Sequence, residues 1–355
     1  MARNRVIYQS EAVYVCPNAG GTPVNLKRVQ SCNYNFSIER TDVNQFGELA
    51  AIDRLILQEP TVNVDLSYIF EPSAANETNL GLSVGSAGSN NILSGIVTHT
   101  GDPSLNIIIG TSNVGVDAAG APVSYCIGIG NAFLTSWSLE AAVGGFPTVT
   151  CAFEGQNIGF EGGSGIANPS FNSAGVLPGG TINVPSATAF ATTEVPAIKP
   201  GDVTIALTQA VSDPNANTTP ALGLSESDLK VQSVTVAMTM SREPLRKLGR
   251  RSAFSRELTF PITCTMSVNA VVGDIVAGKL NEIFLTLGGD AAVFDCTLTL
   301  LGAQVASPYT TSSRMFTLKK AKLNSQNITS SIGPNKSVTL ELSAQIGKDS
   351  GLFMA

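Results

Sequence analysis

Apolar and small polar residues alternate with a period of two along much of residues 231–272. The apolar positions in this stretch are Val234, Val236, Met238, Met240, Leu258, Phe260, Ile262, Cys264, Met266 and Val268. A period of two places alternate side chains on opposite faces of a strand. The pattern therefore predicts two half-buried antiparallel strands whose apolar face packs on the protein's own core. A long basic loop joins them.

The same pattern occurs earlier, in residues 29–70, which align without a gap when the numbering is shifted by 202. Identical residues in the two stretches include Val29 and Val231, Arg40 and Arg242, Gly47 and Gly249, Arg54 and Arg256, and Thr61 and Thr263. The alternation also keeps its phase, since Tyr34, Phe36 and Ile38 are apolar and the residues between them are polar. We therefore expect the same hairpin to occur twice.

A second block repeats with a different shift. Residues 132–156 align with residues 321–345 at a shift of 189, and each copy predicts a strand, a turn and a strand. The change of shift gives the first copy about 13 extra residues, which we place in the loop-like region 84–125. Two blocks that recur in the same order indicate the tandem duplication of a whole domain.

Helical spacing of apolar residues predicts a helix over residues 274–287, and residues 75–82 of the first copy have room for only a turn or two. A chain of 355 residues is longer than one core usually serves, so two domains are expected. Residues rich in Gly, Pro, Ser and Ala separate them. The predicted division is a first domain at 1–160, a connection at 161–200 and a second domain at 201–355.

Composition favours β-structure, since 43% of the residues are hydrophobic and only 14% are charged. The net charge of −6 argues against a general nucleic-acid binder. The charge is unevenly distributed, with 6 basic and 14 acidic groups in residues 1–178 and 15 and 13 in residues 179–355. The two halves could attract each other between copies, or the charges could be simple solvated surface.

Candidate catalytic and metal-binding groups are sparse. The six cysteines are far apart without a CxxC pair, and His99 is the only histidine. A metal site needs clustered ligands and a nucleophilic site needs an adjacent base, so we expect no metal, no cofactor and no enzyme. The N-terminus lacks the apolar core of a signal peptide, and no run of 18 apolar residues predicts a membrane helix.

The polar face of the repeated hairpin carries Thr, Ser, Asn, Ala and a few acids, without Lys, Arg or aromatic residues. Protein partners are usually bound through aromatic residues, Arg or Met, and nucleic acids through Lys and Arg. The face is therefore either an ordinary solvated surface or the wall of a channel that does not bind what passes. The loops at 41–53 and 243–255 are long, and the second combines apolar residues with cations, as in a docking element.

Three segments resemble those of tail tube proteins of long-tailed bacteriophages, specifically a duplicated type. They are SIERTDVNQFGELAAIDR at 37–54, SREPLRKLGRRSAFSRELTFPITCTMSV at 241–268 and AFLTSWSLEAAVGGFPTVTCAFEG at 132–155. The resemblance implies a mainly β fold of two tandem tail-tube-like β-sandwich or barrel domains, each with a short flanking helix and a long hairpin loop. Hairpins of neighbouring subunits would form a closed inner barrel.

The resemblance also implies an assembly. Two domains per chain imply a homotrimeric ring with pseudo-sixfold symmetry, and rings that stack head to tail form an open tube. The tube would conduct phage DNA during ejection without binding it specifically. Other expected partners are the tape measure, tail terminator and tail tip proteins, with no membrane, and the chain would be assembled in the bacterial cytoplasm into the virion tail.

Site residues follow from the resemblance position by position. The predicted lumen-facing residues are Asn33, Asn35, Ser37, Glu39, Thr61, Asn63, Asp65, Ser67, Thr235, Thr239, Ser241, Thr263, Thr265, Ser267 and Asn269. The predicted ring-stacking loop residues are Asn44, Phe46, Glu48, Leu245, Arg246, Lys247, Arg250, Arg251 and Phe254. The predicted ion pairs, at the loop bases or across subunits, involve Arg40, Arg54, Arg242 and Arg256; the alternative is that these four cations are simply solvated. Reversing the charge of the last two together is expected to stop assembly without unfolding the chain.

A second class of function stays open at this point. The chain could be a β-rich tail-tip, decoration or host-glycan-binding virion module. That function calls for aromatic platforms in loops, and the only tryptophan, Trp137, lies at the start of a predicted strand.

Overall fold

A computed structural model shows the protein to be mainly β, as the alternation predicted. The helices among the described residues are short and comprise a 3₁₀ turn at Tyr8–Ser10, α1 at Ala75–Asn79 and α2 at Ser94–Val97. The residues that the structure describes are 8–17, 19–57, 59–85, 90–97, 103–112, 117–172, 174–187, 203–209, 223–224, 230–249, 252–271, 293–301, 313–329 and 336–355.

The strands fall into two successive series. The first series is β1 (Glu11–Pro17), β2 (Val24–Asn25), β3 (Val29–Ser37), β4 (Thr41–Val43), β5 (Asp53–Leu55), β6 (Thr61–Ile69), β7 (Leu105–Ser112), β8 (Val123–Ala142), β9 (Thr148–Gly155), β10 (Asn157–Gly162), β11 (Gly165–Ala167) and β12 (Thr181–Asn183). The second is β13 (Val203–Gln209), β14 (Gly223–Leu224), β15 (Lys230–Thr239), β16 (Arg242–Leu245), β17 (Ser255–Leu258), β18 (Thr263–Val271), β19 (Phe294–Leu301), β20 (Ser313–Thr329), β21 (Ser337–Gln345) and β22 (Gly351–Met354).

Eight strands form a continuous antiparallel inner sheet in the order β3–β6–β9–β8–β15–β18–β21–β20. Its first four strands belong to the first series and its last four to the second. The order of equivalent strands is the same in both, since β3, β6, β9 and β8 correspond to β15, β18, β21 and β20. The inner sheet is therefore one four-stranded unit used twice, side by side, and joined where β8 pairs with β15.

The two units also share their registers. The pairing of β3 with β6 skips Gln30, and that of β15 with β18 skips Gln232, which is 202 positions later. The pairing of β8 with β9 skips Thr135, and that of β20 with β21 skips Asn324, which is 189 positions later. The strand registers, including the skipped residues, therefore recur in the structure at the same shifts of 202 and 189 that relate the two copies in the sequence.

A second sheet packs on the inner one in each unit. In the first unit it runs β2–β1–β7–β8–β10, and in the second β14–β13–β19–β20, with β22 also paired to β20. The long strands β8 and β20 belong to both layers, and each contains one non-glycine residue with a positive φ, Asn131 at 48° and Lys320 at 54°. These two residues are 189 positions apart and lie where each strand passes from the outer layer to the inner one.

The core lies between the layers. Val13 of β1 and Ile107 of β7 belong to the same buried cluster as Val64 of β6 and Val236 of β15. Burial of apolar side chains from both sheets is the main stabilising term of such a sandwich. A second cluster includes Tyr14, on the other face of β1.

Three expectations about local structure are corrected. The region 84–125 is not simply loop, because it contains β7, whose residues are almost all buried, and the start of β8. The predicted strand from Leu258 onward is interrupted at 259–262 and continues as β18. The loops 41–53 and 243–255 are not wholly irregular, because their ends pair as the short hairpins β4–β5 and β16–β17, while residues 44–52 of the first stay outside the strands. The predicted helix at 274–287 and His99 lie outside the described residues.

The domain boundaries stay predictions. Within the expected connection, the structure forms β11 and β12 and buries Ile166 and Ile182 against the outer sheet of the first unit.

All six cysteines are free, and five are buried, as expected of reduced core residues. Burial raises the pKa of Cys264 to about 12. Among the residues that the structure describes, no helix has the length and hydropathy needed to span a membrane.

Candidate assembly surfaces

The polar face of the inner sheet extends across all eight strands. Thirteen of the fifteen predicted lumen-facing residues lie in β3, β6, β15 and β18, and Glu39 and Ser241 come two residues after the ends of β3 and β15. Registers place them together, since Asn33 is opposite Asp65 and Thr235 is opposite Ser267. Along β6 and β18 the polar residues are exposed or half-buried, while those between them are buried. Their role as a channel lining stays a prediction.

Sequence reasoning missed half of this face. The residues of β8, β9, β20 and β21 that share it include Ser136, Ser138, Glu140, Thr148, Thr150, Ser325, Asn327, Thr329, Ser337, Thr339 and Glu341. The signal was present, because the repeated blocks at 132–156 and 321–345 alternate with the same period of two. The polar face is continuous from one unit to the other because Glu140 of β8 is opposite Thr235 of β15 at their junction.

Two hairpin arms extend from the inner sheet at equivalent positions. In the arm β4–β5, Thr41 pairs with Leu55, and the arm β16–β17 has the same register 202 positions later. Both turns contain a glycine in the left-handed region, Gly47 at φ 92° and Gly249 at φ 84°, a conformation that costs other residues free energy. The side chains of Phe46 and Leu248, also equivalent, are fully exposed at the tips.

The predicted ring-stacking residues lie on these arms. All of them except Arg250 and Arg251, which are outside the described residues, occur in or between the arm strands. Arg246 and Lys247 are exposed, and Leu245 is half-buried. Their contact with a second ring stays a prediction.

Arg256 forms an ionic cluster between the two units of the same chain. Its guanidinium donates to Glu59, at 2.9 Å, and to Glu154. The second Glu59 oxygen accepts from the backbone N–H of Ala253 at 3.0 Å. Burial alone would lower the pKa of Arg256, but its bonds to Glu154 and Glu59 outweigh this effect and raise the pKa. We call this cluster the ionic lock.

The other three predicted ion-pair arginines behave differently. Arg242 lies 5.0 Å from the ring centre of Phe133 and donates to the carbonyl oxygen of Leu134, so it also contacts the first unit. Arg54 pairs with Asp42 of its own hairpin arm at 2.7 Å, with both side chains exposed. Arg40 is exposed. The arginines of the second unit therefore join the two units of one chain, rather than standing free for another chain.

That finding corrects the expected effect of charge reversal. The side chain of Arg256 is almost fully buried against Glu59. A carboxylate placed there would face two others in a desolvated site. Reversal at Arg242 and Arg256 is therefore expected to destabilise the chain itself, and it cannot test assembly.

The outer edges of the inner sheet are its least covered strands. Tyr34 and Phe36 of β3 are 38% and 42% exposed, although the equivalent residues Val236 and Met238 are buried. The expectation that the apolar face of β3 packs on its own domain is therefore wrong for these two residues. The reason is geometric, because β15 has β8 beside it, whereas β3 has β6 on one side and no described strand on the other.

A buried carboxyl lies beneath the first unit. Glu77 of α1 accepts a hydrogen bond from the hydroxyl of Tyr68 at 2.8 Å. Burial raises the pKa of Glu77 to about 7, although its hydrogen bond with Tyr68 acts in the opposite direction. Both residues are buried, and Tyr68 lies on the core side of β6, opposite the polar face, so this pair has a structural role.

No protein-family model and no curated protein sequence matches the chain. One similar solved structure is a chain of the virion of a native gene transfer agent particle, with 12% identity over 44% of this chain and 96% of that one, and a TM-score of 0.27. Another is a chain of the anti-feeding prophage baseplate, with 12% identity over 43% of this chain and 91% of that one, and a TM-score of 0.29. At this level of similarity, neither identifies the protein.

Proposed function

We propose that this protein is a structural, non-enzymatic virion subunit that builds a bacteriophage tail tube. Three chains would close into a ring with pseudo-sixfold symmetry, and rings would stack head to tail into a tube that conducts DNA during ejection. The observation that carries the proposal is the inner sheet, in which one four-stranded unit is used twice in register and presents a continuous polar face.

The polar face suits a conduit for a polyanion. Its exposed carboxylates include Asp65, Glu140 and Glu341, while Lys230 is the first residue of β15 and Lys322 lies where β20 enters the inner sheet. Nucleic-acid binding draws much of its affinity from Lys and Arg side chains that neutralise phosphates. A wall of hydroxyls, amides and a few carboxylates would instead repel phosphates weakly and let DNA slide past.

The hairpin arms suit contacts between rings. Phe46, Leu49 and Leu248 are fully exposed near the arm turns. Apolar side chains grouped on projecting elements favour association, because burying them removes apolar surface from water. If the arms of one ring bury their exposed tips against the next ring, each ring would act as a template for the following one.

Electron microscopy of the purified protein tests this proposal. Negatively stained wild-type protein should form stacked rings or tubes at high concentration. The double variant Phe46→Ser/Leu248→Ser should give single rings, since both side chains are fully exposed and bury no surface within one chain. Phe160→Ser, an exposed residue of β10 on the outer layer, is the matched control and should leave tubes intact. Wild-type protein that stays monomeric would contradict the proposal.

The alternative role as a glycan-binding tip or decoration module gains no support from Trp137. That residue is completely buried and stacks on Phe316, with ring centres 5.9 Å apart. It cannot stack on a sugar. Under the tube proposal, the remaining partners would be the tape measure, tail terminator and tail tip proteins, with assembly in the bacterial cytoplasm and a final place in the virion tail.

A further inference from the structure

The junction between the two units provides a template for a junction between chains. In the inner sheet, β8 ends the first unit and β15 begins the second, and the two pair antiparallel over seven residues. The strand equivalent to β15 is β3, and the strand equivalent to β8 is the second half of β20. These are the two outer edges of the described sheet, and each pairs with a described strand on one side only.

We infer that β20 of one chain pairs with β3 of the next, in the register that the internal junction dictates; this inference rests on the proposed function. Shifting Ala237 opposite Ser138 by 202 and 189 positions places Asn35 opposite Asn327. The same transfer places Tyr34 opposite Ile328. We call this β20–β3 contact the seam.

Exposure of the edge residues supports the seam. Ile328 of β20 is 55% exposed, although its equivalent, Leu139, is completely buried beside Val236. Tyr34, the equivalent of Val236, is also exposed on the opposite edge. Each edge therefore presents an apolar residue whose counterpart is buried at the internal junction. Pairing of β20 of one chain with β3 of a second copy would cover both residues in a single contact.

The seam lacks the ionic lock of the internal junction. Glu154 has Ser343 as its equivalent and Glu59 has Pro261, so no carboxylate of the second unit takes their places beside Arg54. Arg54 is instead paired within its own arm. Strand pairing and a small apolar contact would therefore hold the seam, and chains can separate there without leaving buried charges unpaired. The seam is the reversible junction of the ring, and the internal junction is the permanent one.

Backbone bonding identifies the residues with which to test the register. The N–H of Met240 donates to Thr135 at 2.7 Å, and that of Val143 donates to Gln232 at 2.9 Å. Directly opposed antiparallel pairs alternate between hydrogen-bonded and closer, non-hydrogen-bonded types. Ala237 and Ser138 therefore form a close pair, as Asn35 and Asn327 would at the seam. Their Cα separation of about 4.5 Å falls within the range for a disulfide.

The experiment is disulfide crosslinking of Asn35→Cys/Asn327→Cys. Within one chain these positions are at opposite edges of eight strands, roughly 34 Å apart along the sheet, so they cannot crosslink intramolecularly. Under mild oxidation, the double variant should lose its monomer band on non-reducing gels and give covalent multimers that end at the closed ring. Asn35→Cys/Thr329→Cys, which is off register by two residues on the same face, is the matched control and should crosslink far less.

The single variants and microscopy separate the possible failures. If either single variant crosslinks to itself as well as the double variant does, like edges pair and the seam is overturned. Tubes without crosslinks in the register pair would also overturn the seam but leave the tube proposal standing. Crosslinked multimers that never close or stack would support the seam and contradict the tube. Neither assembly nor crosslinks would overturn both.

Discussion

The ionic lock should contribute strongly to the stability of a single chain. Arg256→Met removes the cation and leaves the Glu59 carboxylate, whose side chain is only 4% exposed, without its ion-pair partner. Breaking a buried pair in this way costs about 3–5 kcal/mol, because the remaining charge is uncompensated. The Glu154 side chain is 37% exposed, so water replaces much of its interaction. Glu154→Gln should therefore cost only about 0–1 kcal/mol.

Urea unfolding followed by tryptophan fluorescence measures these differences. Trp137 is the only tryptophan, and it lies in β8 opposite Met238 of β15, so its emission reports on the internal junction directly. The double variant Glu59→Gln/Arg256→Met removes both charges together. It should lose less free energy of unfolding than the sum of the two single variants, because the residues are in direct contact.

Two results would refute this reasoning. One is a loss below about 1 kcal/mol for Arg256→Met, the range expected of an exposed pair. The other is equal losses for Arg256→Met and Glu154→Gln. The first would mean that β8–β15 pairing and apolar packing hold the junction, and the second that the exposed Glu154 contributes as much as the buried Glu59.

Three further predictions concern a buried acid, a sheet edge and an arm turn. The folded-state pKa of Glu77 is about 7, above its ordinary 4.5, so ionisation opposes folding and wild-type stability falls as the pH rises between these values. Glu77→Gln should therefore be more stable in urea at pH 8, by roughly 3 kcal/mol, with a gain that shrinks toward pH 4.5; a gain independent of pH would contradict this. Phe36→Ser should cost only about 1 kcal/mol of the free energy of unfolding, because its side chain is 42% exposed, yet prevent assembly on microscopy, while Met238→Ser at the equivalent buried position should cost about 2–5 kcal/mol; equal costs would show that the β3 edge is already covered. Gly47→Ala should cost about 1–2 kcal/mol in urea, through backbone conformation alone, since a Cβ there meets no atom within 4 Å; an unchanged midpoint would exclude the left-handed turn.

The period of two predicted the hairpin strands because their environment matches the pattern. β6 and β18 have the core on one side and open polar surface on the other, so each alternates cleanly between buried and exposed residues. The duplication was readable for a related reason. Both units impose the same registers on their strands, and the same residue types recur at the same spacing.

Failures of prediction also have physical causes. β7 reads LNIIIGTS and is buried on both faces, so it shows no alternation and resembled part of a loop-like region. The exposure of Tyr34 depends on whether a strand lies beyond β3, which the residues of β3 do not encode. The ionic lock joins Glu59 and Glu154 to Arg256 across more than 100 residues of sequence, a separation at which one sequence gives no pairing signal.

Three differences between the two units lie where the internal junction and the seam require different chemistry. Glu59, Phe133 and Glu154 contact Arg242 or Arg256 in the first unit, and their equivalents in the second unit are proline, lysine and serine. An internal junction forms once, during folding, so buried charges there can fix its geometry at no cost to later assembly. A seam between chains has to desolvate its surfaces each time it forms, and buried ions would make that step costly. Duplication within one chain therefore separates two demands that a ring of identical single domains has to meet at every junction: permanence inside the chain and reversibility between chains.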